Sequence, residues 1–493
     1  MRLKFSFKQT PIVLAFLVVL SYGLILPFMG YFMDDWYLIW YKHLFGAINF
    51  PAYFSVDRPL MGYFYVVANF LLGNTESALL WQIFGLFTRW LCVFALWKFL
   101  NTLWPNAKRQ NSLVAMLAAV FPGFVQQWIA IIYSFFFFCL ACFFFSLTLM
   151  LKAVRTPKRF WPYLILSITL GFYSYAAAEF YFGLELIRPV VLYIEYSKSN
   201  PLIKTRIRKT LQYWIPFLLI FLVYAIWRVF FFESVNHGVM ITGQLSQGLV
   251  SMLNGLFTKI YQAAIDGGVN AWTNPLNLSN YPTRGVIPLF ILGLVVVSFV
   301  CISFWFVRTV KTMGVEDETL EKLWPREAFW LAVFSLVVAV IPFWAADLPV
   351  DYLYPYDRFL LAYLLGSCLL LVVFLDGKKT GWYLLIFLIA IATGYQLNTS
   401  IRFKNSWQQQ SDFFWQLTWR APSLKENTIL ITDDLPFSKY FSGTSLMAPL
   451  NMIYAPELES HTIPYLILLN TYQDDIVSNF VREGKIKFDF RSF

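Results

Sequence analysis

Residues 11–32 read PIVLAFLVVLSYGLILPFMGYF, without one charged side chain. A helix rises about 1.5 Å per residue, so roughly 20 apolar residues cross the ~30 Å hydrocarbon core of a bilayer. The run is too long for the core of a signal peptide and lacks a small-residue cleavage site, so it reads as a retained helix. Comparable runs recur near 11–30, 77–101, 111–130, 132–151, 161–178, 180–196, 211–232, 286–307, 329–346, 358–375 and 381–397. They predict roughly eleven membrane spans. Composition agrees: 13% of residues are charged and 59% hydrophobic, against about 25% charged in soluble domains. The fold class expected is mostly α, a polytopic membrane helix bundle.

A net charge of +10 invites a nucleic-acid reading, but the basic residues sit in short clusters between apolar runs. MRLKFSFK, NAKRQ, KAVRTPKR, KSNPLIKTRIRK, VRTVK and DGKK all fall on one side of the predicted bundle. By the positive-inside rule that side is cytoplasmic. The N-terminus is then inside, and an odd span count puts the C-terminus outside. Residues 1–397 are expected to form the transmembrane domain, with long external loops at 31–76 and 233–285. Residues 398–493 are expected to form a small extracytoplasmic α/β appendage, its strands in NTILITDD and TIPYLILLN. WYLIWYKHLFGAI, PLMGYFYVVANFLLG and QLSQGLVSMLNGLFTKIYQAAIDGG read as membrane-surface helices. The five cysteines lie within apolar segments, so neither a disulfide nor a zinc framework is expected.

With this topology the unusual polar residues gather at the external boundary. Asp34, Asp35, Asp57 and Arg58 lie in the first external loop. Glu179 ends one span, Glu233 and His237 follow another, and Asp347, Asp351, Asp357 and Arg358 surround two more. Two adjacent carboxylates in a low-dielectric site cannot both ionise freely, and a raised pKa suits a general base. The alternative for the pair is a solvated helix end. Arg228, about one turn inside the external end of its span, can meet a lipid phosphate or snorkel to the headgroups. Arg89, near the middle of a span, needs a partner, and Glu185 is the candidate. His43 and His237 lack an i, i+4 partner for metal binding. No cofactor is expected, with a divalent metal as the alternative. Asp433 and Asp434 read as a turn after a strand.

The inside N-terminus, the Asp pair closing the first span, the first loop with surface helices and the external tail resemble the C-type (GT-C) integral-membrane glycosyltransferases. Protein O-mannosyltransferases and bacterial lipid A aminoarabinose transferases belong to that class. YFMDDWYLIWYKHLFG resembles their first-loop acidic motif, and SVDRPLMG the His-Pro-Pro-Leu-Gly-type stretch after it. Asp57 and Arg58 depart from that stretch, standing where it has His and Pro. The resemblance implies a polyprenyl-phosphate-linked sugar donor and inverting transfer outside the cytoplasm, with a bacterial inner membrane as the expected setting. The acceptor is a hydroxyl on a lipid, glycan or protein, and nucleic acid is not a partner.

Within that chemistry Asp35, further toward the aqueous side beside Trp36, is the expected base. Asp34 would orient the acceptor or hold its neighbour's pKa up. Arg58, Arg228 and Arg358 are expected to bind the donor phosphate, and Asp57, Glu179, His237 and Asp357 to line the substrate site. A lipid-linked sugar flippase or transporter is the rival. It would place ionisable groups near the midplane, where only Arg89 and Glu185 lean.

Overall fold

A computed structural model of the chain describes residues 6–199, 201–232, 249–311, 323–377, 379–432, 440–457 and 463–469. The fold is mostly α. Among the described residues eight helices are long and apolar enough to cross a membrane. In chain order these are α1 (Phe7–Phe28), α4 (Ala78–Leu103), α6 (Ala130–Arg155), α9 (Ile203–Phe230), α11 (Ile287–Lys311), α12 (Trp324–Ala345), α13 (Tyr356–Leu375) and α14 (Lys379–Arg420). Between them lie α2 (Asp34–Phe45), α3 (Met61–Leu71), α5 (Lys108–Ala119), α7 (Phe160–Ala177), α8 (Arg188–Ser197) and α10 (Leu249–Ile265).

Of the three further spans expected from sequence, two take other forms. In place of a span at 111–130, α5 stops at Ala119, ahead of Pro122 and Gly123, and residues 121–129 run as irregular, wholly buried chain. In place of one at 180–196, a 3-10 helix Glu179–Ile187 passes into α8. The segment 161–178 is helical as α7, with tyrosines and serines toward its end.

Helix α6 is the axis of the bundle. It packs between α4 and α7, and 83% of its most apolar stretch is buried inside the protein. The corresponding figures for α9 and α11 are 17% and 22%. Their outer faces carry Leu219, Val223, Phe230, Leu289, Leu292 and Val300, all exposed. Helices so apolar and so little covered need lipid around them, which makes this a multi-pass membrane protein.

Where α1 leaves the bundle the chain turns sharply. Met33 sits at φ +48°, a region that a Cβ disfavours. Helix α2 starts at the next residue, with Asp34 and Asp35 in its first turn and Lys42 and His43 in its last, complementing the helix dipole at both ends. Just before this corner Gly30 passes beneath Trp407 of α14, where a Cβ would lie 2.2 Å from the indole.

Helix α14 runs unbroken through residue 397, so the domain boundary expected there falls inside a helix. Beyond it, strand β1 (Thr428–Thr432), helix α15 (Gly443–Tyr454) and strand β2 (Tyr465–Leu469) form a small unit. The strands pair in parallel with Thr428 opposite Tyr465, and both lie within the segments expected to form strands. Leu446, Leu450, Tyr465 and Ile467 pack there against Phe414 of α14. Ala448 of α15 packs on Tyr37 and Trp40 of α2, and His43 hydrogen-bonds the Pro456 carbonyl at 2.9 Å.

Candidate functional site

The ends of α6, α7, α9, α12 and α13 meet the start of α2 around a cavity of about 390 Å³. Its charged lining is Asp34, Arg58, Glu179, Arg228 and Arg358, and its apolar walls include Phe136, Phe180, Phe182 and Phe343. All of these helices present the end opposite their basic cluster. Arg228 closes α9, which opens with Lys204, Arg206, Arg208 and Lys209, and Tyr133 lies at the start of α6, which ends with Lys152 and Arg155.

The three arginines are held differently. The Arg228 Nε donates to Glu179 Oε1 at 2.5 Å and Nη2 lies 2.5 Å from the same oxygen, while Nη1 is buried without a hydrogen-bond partner among the described residues. Arg58 follows the turn after residues 50–54, with its guanidinium 5.8 Å from the Phe180 ring centre and 3.7 Å from the Asp57 carboxylate. Arg358 lies 5.0 Å from the Phe359 ring centre. The Nε atoms of Arg58 and Arg358 are likewise buried and without a partner among the described residues. With Arg228 paired to Glu179 and Arg58 beside Asp57, Asp34 is left facing Arg358, and the formal charges around the cavity balance.

The two members of the Asp pair part company. Asp34 turns into the cavity and keeps accessible surface there. That surface is enclosed by the bundle, so the carboxyl is still desolvated, which raises its pKa above the ordinary carboxylate value against the opposing pull of Arg358 and Arg58. Asp35 is fully buried and does not line the cavity. Its Oδ1 accepts the Ile131 and Ile132 amides at 3.1 and 3.0 Å, and Oδ2 accepts Ile131 at 3.2 Å. Burial pushes its carboxyl well up, with those amides opposing. Adjacent residues of a helix point about 100° apart, so only one of the pair can face the cavity.

The other expected lining residues divide in the same way. Glu179 lines the cavity. Asp357 is fully buried and turned away from it, accepting the Val125 amide at 2.7 Å and the Gln126 side chain at 2.6 Å. Asp57 stands beside Arg58 but not in the wall. His237 and Glu233 lie outside the described residues, as do Asp433 and Asp434. The expected Arg89–Glu185 pair does not form. Arg89 donates to the Ala119 carbonyl and the Gln127 side chain, both at 3.0 Å, and lies 3.9 Å from the Tyr22 ring centre. Glu185 pairs with Arg188, three residues along, because the local partner is reached without crossing the bundle. Tyr133, missed in the sequence, lines the cavity and donates to Gln126 at 2.7 Å. Its signal was a hydroxyl in the first turn of a phenylalanine-rich span.

Beside the cavity an apolar groove of about 510 Å³ runs between α7 and α9, lined by Pro59, Leu60, Phe172, Leu219, Val223 and Trp227 among others. Tyr224 borders both spaces, and Pro59 follows Arg58 directly. The groove opens on the face of α9 that needs lipid. Among the described residues no three His, Cys, Asp or Glu side chains gather as metal ligands. No known family profile matches this chain, and no curated protein does either.

Proposed function

We propose that the protein is a membrane glycosyltransferase moving a sugar from a polyprenyl-phosphate donor to an acceptor hydroxyl, with Asp34 as general base. One observation carries this reading: Asp34, a second carboxylate paired to Arg228 and three arginines share a chamber that adjoins a lipid-facing apolar groove. The donor's phosphate would bind Arg58, Arg228 and Arg358, each with a buried N–H group that has no acceptor among the described residues. Its isoprenoid chain would lie along the groove beside Tyr224. The sugar would then project toward Asp34.

In the transfer, Asp34 takes the proton of the acceptor hydroxyl as its oxygen attacks the anomeric carbon from the side opposite the phosphate. The bond from that carbon to the phosphate oxygen breaks, the electron pair leaves with the phosphate, and the configuration inverts. The arginines stabilise the charge growing on the leaving group. A phosphate leaving group needs no general acid, which suits a cavity with one free carboxylate. By the positive-inside rule the cavity faces away from the cytoplasm, and a bacterial inner membrane is the setting we favour. The test is release of polyprenyl phosphate from short-chain polyprenyl-phosphate sugars by the purified protein in lipid nanodiscs. A panel of common hexose and pentose donors giving no release with any acceptor class would overturn the reading.

A further inference from the structure

We infer that Asp35 and Asp357 are positioning residues, each tying its cavity-facing neighbour, Asp34 or Arg358, to the buried stretch 121–132, which is irregular through residue 129 and then begins α6. The inference rests on the glycosyltransferase reading for its consequence, though not for its geometry. Residues 121–129 are buried and non-helical, so their backbone groups must find partners inside the protein. Side chains from separate elements supply them. Gln396 donates to the Phe121 and Phe124 carbonyls, each at 3.0 Å, and Gln82 to the Trp128 carbonyl at 2.7 Å. The two acids supply acceptors, Asp357 for Val125 in this segment and Asp35 for Ile131 and Ile132 in the first turn of α6 that follows it. Gln126 adds a bond to the Pro355 carbonyl at 2.8 Å, three residues before Arg358.

Both cavity groups thus sit one residue from a buried carboxylate, and the two carboxylates grip neighbouring parts of one short stretch, Asp357 at Val125 and Gln126 and Asp35 at Ile131 and Ile132. Asp34 belongs to α2 and Arg358 to α13, helices far apart in sequence. Their spacing is fixed through this shared backbone. Base and phosphate cation must keep a common distance from one substrate, within about 0.5 Å for effective chemistry. A rigid mount common to both meets that need.

The two acids respond differently to amidation. An Asn at 35 still offers one oxygen to both amides, because Asp35 Oδ1 alone reaches Ile131 and Ile132. At 357 the two oxygens serve two different donors, so an Asn there turns its own N–H₂ against one of them.

The experiment uses the full chain in nanodiscs, with farnesyl phosphate as the probe. Asp357→Asn should weaken its binding about tenfold, as Arg358→Ala does, and the double variant should bind no more weakly than Arg358→Ala alone. Losses that multiply, or wild-type affinity in Asp357→Asn, would overturn the inference. Asp35→Asn should keep turnover within about tenfold of wild type while Asp35→Ala loses about 100-fold. A folded Asp35→Asn as inactive as Asp34→Asn would make Asp35 a chemical group instead. Hydrogen exchange gives a ligand-independent arm. Asp35→Ala should speed exchange at Ile131 and Ile132, and Asp357→Ala at Val125, with α4 unchanged. Unaltered exchange overturns the mount whatever the probe does. If the wild type binds no farnesyl phosphate, the donor assignment fails and the exchange data alone decide the mount.

Discussion

Asp34→Asn is the sharpest perturbation of the site. Asn matches Asp in shape, so the cavity wall and the start of α2 should persist. What disappears is one negative charge and one proton acceptor, opposite Arg58 and Arg358. Loss of a general base removes roughly 100- to 10,000-fold in rate, or about 2.7–5.4 kcal/mol of barrier at 1.36 kcal/mol per decade. Binding moves the other way. With Asp34 neutral the two guanidinium groups lose a competing anion, so donor KM should stay level or fall while kcat collapses. The pH profile gives an independent check. Asp34 acts only when ionised, so wild-type rates should fall as pH drops through its raised pKa. Arg358→Ala removes the strongest influence opposing that rise, and the acid limb should shift to higher pH. Donor turnover measured from pH 4 to 9 in the three proteins reads both effects. Wild-type kcat in a folded Asp34→Asn, or an acid limb indifferent to Arg358, would refute the assignment of the base.

Other expectations follow from particular contacts. Arg58→Ala and Arg358→Ala each remove a charged hydrogen-bond donor worth about 1.5–3 kcal/mol, so donor binding should weaken roughly 10- to 100-fold by titration with a polyprenyl phosphate. Glu179→Gln releases Arg228 from its carboxylate, and farnesyl phosphate affinity should rise. Asp35 holds its proton more tightly folded than unfolded, so the native state binds the extra proton and stability should fall as pH rises from about 4 toward the raised value. Asp35→Asn should flatten that slope in thermal melts. Ser55, exposed near Arg58, and Lys158, exposed at the other end of the bundle, test orientation. In intact cells a membrane-impermeant maleimide should label Ser55→Cys and spare Lys158→Cys.

The gathering of Asp34, Arg58, Glu179, Arg228 and Arg358 was readable because charge at the ends of apolar runs is costly and stands out against its surroundings. Which carboxylate of the Asp pair faces the cavity was not. Both sit beside aromatics, and only the rotation of α2 about its axis, fixed by packing on α6 and α15, decides between them. The irregular segment 121–129 was read as part of a span because its hydrophobicity is high. Its own signals were Pro122 with Gly123 and the adjacent Gln126 and Gln127, polar groups that no continuous span requires. Arg89 shows the limit of pairing by charge. A buried guanidinium with five N–H groups found a carbonyl, an amide and a tyrosine ring, none of which a search for acids would select. The strands of the C-terminal unit were legible from their alternating aliphatic runs, whereas the continuation of α14 past residue 397 depended on its packing.

The close pass of Gly30 under Trp407 bears on how this sequence can drift. The indole also lies 6.2 Å from the Phe32 ring and 6.0 Å from the Trp36 ring, centre to centre, on either side of the Asp pair. An alanine at position 30 cannot coexist with that ring in its present place. A lineage that acquires one must already have a smaller side chain at 407, and shrinking 407 first opens a hole beside Phe32 and Trp36. The order of substitution is therefore constrained, and the route passes through a loosened intermediate. In descendants of this chain the two positions should covary, glycine inherited with tryptophan, although 376 residues of sequence separate them.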